Sequence, residues 1–256
     1  MIVFKIIMLQ LKIIFPEEFN CFKRRNNKGL EIVYPLKSKT SIKNIIESLG
    51  VPHTEIGKIV AADKEVDFNY IPANSQNITV LPIIPPFDVT MPSVLRPKPL
   101  QKIRFIVDVN VGKLALLLRM LGLDAEYSPK FSDKDILSFC QKEKRIVLSK
   151  DIGLLECKQI IFGRHVRAIY PDDQLSEVLD LFGIKGPFKF FSRCLRCNNN
   201  LSLVNKKDIL HRLEPKTKKY FNRFKICPQC NQIYWRGSHY EKMKDRLLKS
   251  GVNILK

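Results

Sequence analysis

Residues 103–122 read IRFIVDVNVGKLALLLRMLG, and this stretch indicates the fold class of the chain. Its first five residues form a nearly continuous apolar run that ends at Asp108, which is typical of a strand buried on both faces in a parallel sheet. A helix is predicted over residues 113–121, with Gly122 as its stop. The stretch therefore predicts a strand that is followed by a helix.

The same alternation continues downstream. A helix over residues 133–144 begins after Ser132, a favourable N-cap residue, and a second buried strand follows over residues 145–148. A last helix is predicted over residues 173–182. Strands and helices that alternate in this way predict an α/β domain with a mostly parallel sheet.

The region up to residue 89 has a different order of elements. Within residues 1–15 we predict a strand, because Lys5 and Lys12 interrupt an apolar run that is too short to span a bilayer. The other predicted elements are a strand over 30–34, a helix over 41–49 capped by Thr40 or Ser41, and strands over 59–62 and 78–81. This order is typical of a β-grasp, or ubiquitin-like, domain. Six prolines between residues 82 and 99 then predict a linker.

Two Cys-x-x-Cys knuckles near the C-terminus predict a metal site. Together they supply the four thiolates of a tetrahedral zinc shell, which we favour over disulfides or a redox dithiol. Asn198 and Asn231 directly follow the knuckles, where the turn needs a residue that tolerates left-handed backbone angles. Because four thiolates leave no open coordination position, the predicted zinc is structural. The ligands are Cys194, Cys197, Cys227 and Cys230.

The chain is strongly basic, with 44 lysines and arginines against 25 acids, a formal net charge of +19 and a pI near 9.7. Residues 187–256 carry 17 of these cations and only 4 acids, which is more uneven than a uniform codon bias would give. Nucleic acid is therefore the expected partner class. Unpaired thiols and the lack of a transmembrane-length stretch predict an intracellular, cytoplasmic protein without a membrane partner, and a nuclear location stays open.

Acidic residues stand where the predicted strands end. Asp108 ends the first strand of the α/β domain, Asp151 follows the second, and Asp133 opens the helix between them. Ligand sites in open parallel sheets form outside the carboxyl ends of strands. Carboxylates there could hold magnesium or manganese, which activates water against a phosphodiester. A structural interpretation stays open, in which Asp133 caps a helix and Asp151 begins a turn.

Residues 216–225 are both basic and aromatic, and they are the candidate nucleic-acid-binding element. Cations neutralise phosphates, while exposed rings stack on bases. For Tyr220 and Phe224, four residues apart, we favour instead the buried face of one helix that packs on the zinc site. The predicted RNA-binding residues are Lys216, Lys218, Lys219, Arg223, Lys225, Arg236 and His239.

In their order along the chain, these motifs resemble a family of PIN-like ribonuclease domains that is named after the Mut-seven C-terminal region. The resembling segments are 105–114 and 118–124 for the opening of the nuclease domain, 133–137 and 145–151 for its next two motifs, 193–198, 227–230 and 234–240 for its zinc ribbon, and 48–55 for the ubiquitin-like domain that precedes it in many members. The resulting expectation is a ubiquitin-like β-grasp domain over 1–89, a proline-rich linker over 90–101, a PIN-like domain with a mostly parallel sheet over 102–185, and a four-cysteine zinc ribbon with a basic tail over 186–256.

The resemblance implies a metal-dependent ribonuclease with acidic ligands that match Asp108, Asp133 and Asp151. Ser149 stands where a threonine is usual, which keeps the hydroxyl. No clear fourth acid is found, although Asp135 could supply one and Asn110 could give a neutral oxygen.

The leading hypothesis is therefore a magnesium- or manganese-dependent RNA endonuclease whose zinc ribbon helps to bind RNA. One alternative is a non-catalytic RNA- or ribosome-binding adaptor that uses a degenerate nuclease fold, so enzymatic activity stays open. Another is a scaffold whose ubiquitin-like domain recruits a protein partner. That domain runs into the linker and has no free Gly-Gly end, which favours docking or RNA contact over conjugation.

Overall fold

A computed structural model of the protein describes residues 10–23, 29–36, 38–73, 75–249 and 251–252. The strands are β1 (Gln10–Ile14), β2 (Glu31–Pro35), β3 (Ile56–Ala61), β4 (Lys64–Glu65), β5 (Asn77–Pro82), β6 (Phe105–Val107), β7 (Ala125–Glu126), β8 (Ile146–Ser149), β9 (Gly163–His165), β10 (Ser202–Val204), β11 (Phe224–Ile226) and β12 (Ile233–Trp235). The helices are α1 (Ile42–Ser48), α2 (Gly112–Met120), α3 (Asp133–Glu143), α4 (Ile152–Leu155), α5 (Pro171–Leu181), α6 (Lys206–Ile209), α7 (Pro215–Tyr220) and α8 (Ser238–Lys249). Among the described residues, no helix is long and apolar enough to cross a membrane.

The described chain forms two compact units. Unit 1 comprises the chain up to Lys102 together with Asp151–His165. Unit 2 comprises Ile103–Lys150 and the chain from Val166 onward. The short stretch from Asp151 to His165 therefore packs with the N-terminal part of the chain, although it lies between two parts of unit 2 in sequence.

Unit 1 is built around an N-terminal ubiquitin-like domain. Its sheet has the order β2-β1-β5-β3-β4, with β1 and β5 parallel at the centre and antiparallel pairs on either side. Helix α1 begins after Ser41, as predicted, and the Ser41 hydroxyl accepts a hydrogen bond from the amide of Asn44. The predicted N-terminal strand is β1, and residues 1–9 lie outside the described residues.

Buried polar contacts join the stretch Asp151–His165 to the rest of unit 1. The Glu55 carboxylate pairs with Arg164 at 2.6 Å and accepts a hydrogen bond from the amide of His165 at 2.7 Å. The predicted linker contains no helix or strand, but its Arg96 is buried and donates to the carbonyl oxygens of Ile56 and Ile161. Burial lowers the pKa of Arg96 to about 10. Unit 1 is thus held together by charged groups as well as by its apolar core.

Unit 2 contains the predicted parallel sheet. Strands β7, β6 and β8 pair side by side and are all parallel, and the residues of β6 and β8 are fully buried. Helix α2 packs against α5, and the ring of Phe105 lies 5.7 Å from that of Phe182. The Ser132 hydroxyl caps α3 in a reciprocal capping box with Asp135. Helix α5 begins two residues earlier than predicted, because Pro171 occupies its first turn, where a missing amide hydrogen costs nothing.

The C-terminal part of unit 2 is a small antiparallel ribbon of order β10-β11-β12. Phe224 and Ile233 are buried in its core. The expectation that Tyr220 and Phe224 share one helical face is wrong: α7 ends at Tyr220, whose ring is exposed, and Phe224 opens β11. Pairing of β11 with both neighbouring strands requires an extended backbone, and this prevents the helix from continuing.

Candidate functional site

The four predicted cysteines form one group. Their sulfur atoms all lie within 4.8 Å of one another. The shortest separations are 3.3 Å between Cys197 and Cys227 and 3.4 Å between Cys194 and Cys230, far longer than the ~2.05 Å of a disulfide. At these separations the four thiols form no disulfide, and the group could hold one metal ion such as zinc.

The two knuckles have the same local backbone geometry. In the first, the amide of Asn198 donates to the carbonyl oxygen of Cys194, and in the second the amide of Asn231 donates to that of Cys227. Both asparagines have left-handed backbone angles, with φ values of 65° and 57°, as the sequence predicted. The repeated turn directs two thiols from each knuckle toward a common point.

The electrostatics of the sulfurs fit a bound cation. Burial opposes ionisation of Cys194, but hydrogen bonds from the Tyr234 hydroxyl and from two backbone amides outweigh it and lower the pKa of this thiol to about 6. Burial and the neighbouring Cys227 thiol raise the pKa of Cys197 to about 12. Four thiolates this close repel one another unless a cation offsets their charge. A zinc ion would supply that charge, since zinc binding displaces thiol protons.

The first knuckle is anchored to the parallel sheet through the side chain of Asn198, which is almost fully buried. Its amide group donates to the carboxylates of Asp124 at 2.8 Å and Glu126 at 2.7 Å. Its carbonyl oxygen accepts the backbone N–H of Ala125 at 3.1 Å. The asparagine that follows Cys197 therefore supplies a hydrogen-bond acceptor to the backbone of strand β7.

Arg119 contacts the same knuckle from helix α2. Its guanidinium donates to the carbonyl oxygens of Leu195 at 2.9 Å, Arg196 at 3.0 Å and Ala125 at 2.8 Å. Burial lowers the pKa of Arg119, although nearby Glu126 opposes the shift. Arg119 was not among the site residues predicted from the sequence. The available signal was a single arginine within the otherwise apolar segment from Leu114 to Leu121.

Asp108 lies at the carboxyl end of β6, where the sequence analysis expected a ligand site, and its side chain is buried. One carboxylate oxygen accepts the N–H of Val109 at 2.6 Å. The other accepts the Ser149 hydroxyl and the Asn110 amide, each at 2.6 Å. The oxygen of Asn110 accepts the N–H of Lys150, so Asn110 positions Asp108 and bridges to the end of β8. All of these donors to Asp108 are neutral.

The other predicted acids lie in more exposed positions. Asp133 occupies the first turn of α3 and is exposed. Asp135 is also exposed, and its carboxylate is used by the capping box with Ser132, whose hydrogen bonds lower the pKa of this acid. Asp151 belongs to unit 1, where it accepts a hydrogen bond from Leu154 as the N-cap of α4. Across the part of the chain that the structure describes, the cysteines are the one group of three or more His, Cys, Asp or Glu side chains whose ligand atoms cluster within 4.8 Å.

The predicted RNA-binding residues all lie in the ribbon region of unit 2. Helix α7 carries three lysines, and Arg223 and Arg236 are exposed beside strands β11 and β12. His239 is exposed in the first turn of α8 and is not a member of the cysteine group. Lys225 is partly buried, and its ammonium donates to the carbonyl oxygen of Phe191 at 2.9 Å. The lysines of α7 are Lys216, Lys218 and Lys219.

Comparison with known proteins assigns both parts of the chain. Residues 8–88 match the family model described as Mut7-C ubiquitin. Residues 103–247 match the model described as Mut7-C RNAse domain, and this match spans more than half of the chain, including the cysteine ribbon. No curated protein and no solved structure matches the chain. The RNase model indicates a nuclease-like function with RNA as partner, and the ubiquitin model indicates protein interaction. The chain belongs to the Mut7-C RNase domain family and carries the Mut7-C ubiquitin domain ahead of it.

Proposed function

We propose that the protein is a metal-dependent endoribonuclease. The observation that carries the proposal is the environment of Asp108, a buried carboxylate at the end of a parallel strand whose three donors are all neutral. A buried carboxylate is costly unless its charge is compensated, and a cation is the strongest compensation. The family match to an RNase domain supports RNA as the substrate.

In this proposal Asp108 and Asp133, the predicted ligands that lie in unit 2, would hold magnesium or manganese. Hard oxygen ligands suit either ion, and when bound such an ion activates water and neutralises charge on the reacting phosphate. The contribution of the chain is to fix the first ligand in place. Ser149 and Asn110 hold one oxygen of Asp108, and the amide of Val109 holds the other, so the carboxylate is oriented before a metal arrives.

The zinc ribbon would bind the RNA substrate of the enzyme. Its lysines and arginines give a positive surface that attracts the phosphate backbone. The four cysteines would bind a structural zinc ion and take no part in the chemistry, because their shell has no open position. The ubiquitin-like domain would dock a protein partner.

Cleavage of a labelled RNA in the presence of manganese tests the proposal. We expect Asp108→Asn to slow cleavage by at least about 100-fold, because a lost metal ligand removes several kcal/mol of transition-state stabilisation. Asp133→Asn should also slow it, and this exposed position carries little risk to folding. Asp180→Asn, which changes an exposed acid of α5, is the matched control and should leave the rate unchanged.

The outcomes of this experiment distinguish a ribonuclease from a non-catalytic RNA-binding adaptor. Cleavage at the wild-type rate in both Asp108→Asn and Asp133→Asn would refute the catalytic assignment. RNA binding without cleavage by the wild type would favour a non-catalytic adaptor. One observation favours that second candidate: the described acids do not form a preassembled ligand group as the cysteines do.

A further inference from the structure

The ribbon of unit 2 contains an aromatic cavity that neither metal site uses. Its volume is about 370 Å³, and aromatic side chains make up most of its lining. Three cations also line it, and no acid is among its described lining residues. The aromatic residues are Phe190, Phe191, Tyr220, Phe221, Phe224, Tyr234, Trp235 and Tyr240.

Packing fixes the rings on two sides of this lining. Tyr240 packs against Phe190 at 5.1 Å and Phe191 at 5.0 Å between ring centroids. Trp235 packs against Phe221 at 6.5 Å and Phe224 at 6.3 Å. These contacts hold rings in place without covering them completely, since Trp235 remains about a third exposed at 36%. The cavity is therefore a preformed aromatic surface, with little ordering entropy left to lose on binding.

The cations give this surface a definite charge preference. Arg223 and Arg236 are exposed at the cavity, and the guanidinium of Arg236 lies 5.6 Å from the ring centroid of Tyr240. Burial, reinforced by the charge of Arg236, lowers the pKa of Lys225. Rings that stack and cations that attract phosphate are the two components of a single-strand-binding surface.

We propose that this cavity binds an unpaired base of single-stranded RNA, with the flanking phosphates on Arg223 and Arg236. A base in a duplex is stacked on both faces and cannot enter, so the cavity would select single-stranded substrate. The inference rests on the proposed function in one respect, since it takes RNA as the substrate. It adds that this RNA is single-stranded, and it adds a recognition site away from Asp108 and the other predicted acids.

The only tryptophan of the chain is Trp235, so intrinsic tryptophan fluorescence reports directly on the cavity. The zinc-loaded full chain is titrated with a short oligouridylate, without added magnesium or manganese. Two probes of equal length serve as comparisons: an abasic ribose-phosphate chain and an RNA duplex. We expect saturable quenching by the oligouridylate and almost none by either comparison probe. An equal response to the abasic chain, or no response to the oligouridylate, would overturn the proposal.

An exposed ring at the cavity allows a second test. Tyr220 is 65% exposed, so Tyr220→Ala should fold normally, yet weaken oligouridylate binding by about 5- to 150-fold, the range for loss of one stacked base. Its small response to the abasic chain should not change. Tyr170→Ala, at an equally exposed tyrosine outside the cavity, is the matched control and should bind like the wild type. A Tyr220→Ala affinity within twofold of wild type would overturn the proposal. Because no cleavage is measured, these results are independent of the fate of Asp108.

Discussion

Replacing Asn198 by glycine should destabilise unit 2 far more than the same change at Asn231. The two residues occupy equivalent turns, with nearly equal left-handed φ values that glycine adopts without strain. Their side chains differ, because Asn198 is buried against β7 whereas Asn231 is exposed. Comparing the two variants therefore separates the stability that the side-chain contacts of Asn198 contribute from any effect on the backbone of the turn.

The magnitude follows from the contacts that are lost. Two hydrogen bonds of Asn198 end on carboxylates, at ~1.5–3 kcal/mol each, and a third to Ala125 is neutral, at ~1 kcal/mol. Water can recover part of this, since the side chains of Asp124 and Glu126 are 20% and 26% exposed. A net loss of ~3 kcal/mol in the free energy of unfolding is the result. Glycine also adds entropy to the unfolded chain, by ~0.4–1 kcal/mol, but this contribution is common to both variants.

Urea unfolding of the zinc-loaded protein, followed by the fluorescence of Trp235, measures this difference within unit 2. With a denaturant slope of ~3 kcal/mol per molar, Asn198→Gly should lower the midpoint by ~1 M relative to Asn231→Gly. Midpoints that agree within ~0.2 M, a difference of ~0.6 kcal/mol on the same slope, would refute the reasoning. In that case Asn198 would matter only as a turn residue, and the knuckle would not support the sheet.

Two further predictions concern the same part of unit 2. Arg119→Met keeps most of the side-chain volume but removes the donor to the buried carbonyl oxygen of Ala125 and to two partly buried carbonyl oxygens of the knuckle. We therefore expect a loss of ~3 kcal/mol in the free energy of unfolding and faster zinc release to a chelator. Lys113→Met, on an exposed position of the same helix, should change neither. Burial opposes ionisation of Asp124, but hydrogen bonds from Arg145 and Asn198 outweigh that effect and lower the pKa of this acid. The stability that the Asp124 carboxylate contributes is therefore complete above pH ~4, the unfolded-state pKa, and is lost as the pH falls through the lower pKa of the folded state. Asp124→Asn should therefore be less stable than wild type at neutral pH by ~2–3 kcal/mol, and the difference should shrink in acid, as measured by urea unfolding at a series of pH values.

Local signals in the sequence predicted the elements that depend on local physics. Ser132 caps α3 and Gly122 ends α2 with a positive φ, as their residue types predict. The cysteine spacing located the four-cysteine group for the same reason, because each knuckle is one turn of chain. Asp108 also lies at the expected end of its strand, since a run of apolar residues fixes where a buried strand stops.

Features that depend on distant parts of the chain could not be found in this way. The left-handed turn at Asn198 was predictable, but its contacts with β7 arise from residues more than 70 positions earlier. The pairing of Glu55 with Arg164 spans 109 positions. Tyr220 and Phe224 were assigned to one helix because their spacing fits one, whereas strand pairing at β11 decides the backbone there. Periodicity describes a local preference, and long-range pairing can override it.

The position of the cysteine group indicates how a metal ion bound there would affect the parallel sheet. Strand β7 has one neighbour in the parallel sheet of unit 2, β6, so its outer edge needs hydrogen-bond partners. Asn198 supplies one to Ala125, and Arg119 joins α2 to the knuckle backbone beside it. Strand β6 in turn ends directly before Asp108. Zinc binding would hold the knuckle against β7, so part of its free energy would stabilise the sheet that positions Asp108. A zinc ion would thus support the proposed RNA cleavage through the rigidity of the sheet edge at Asp108, without taking part in the chemistry.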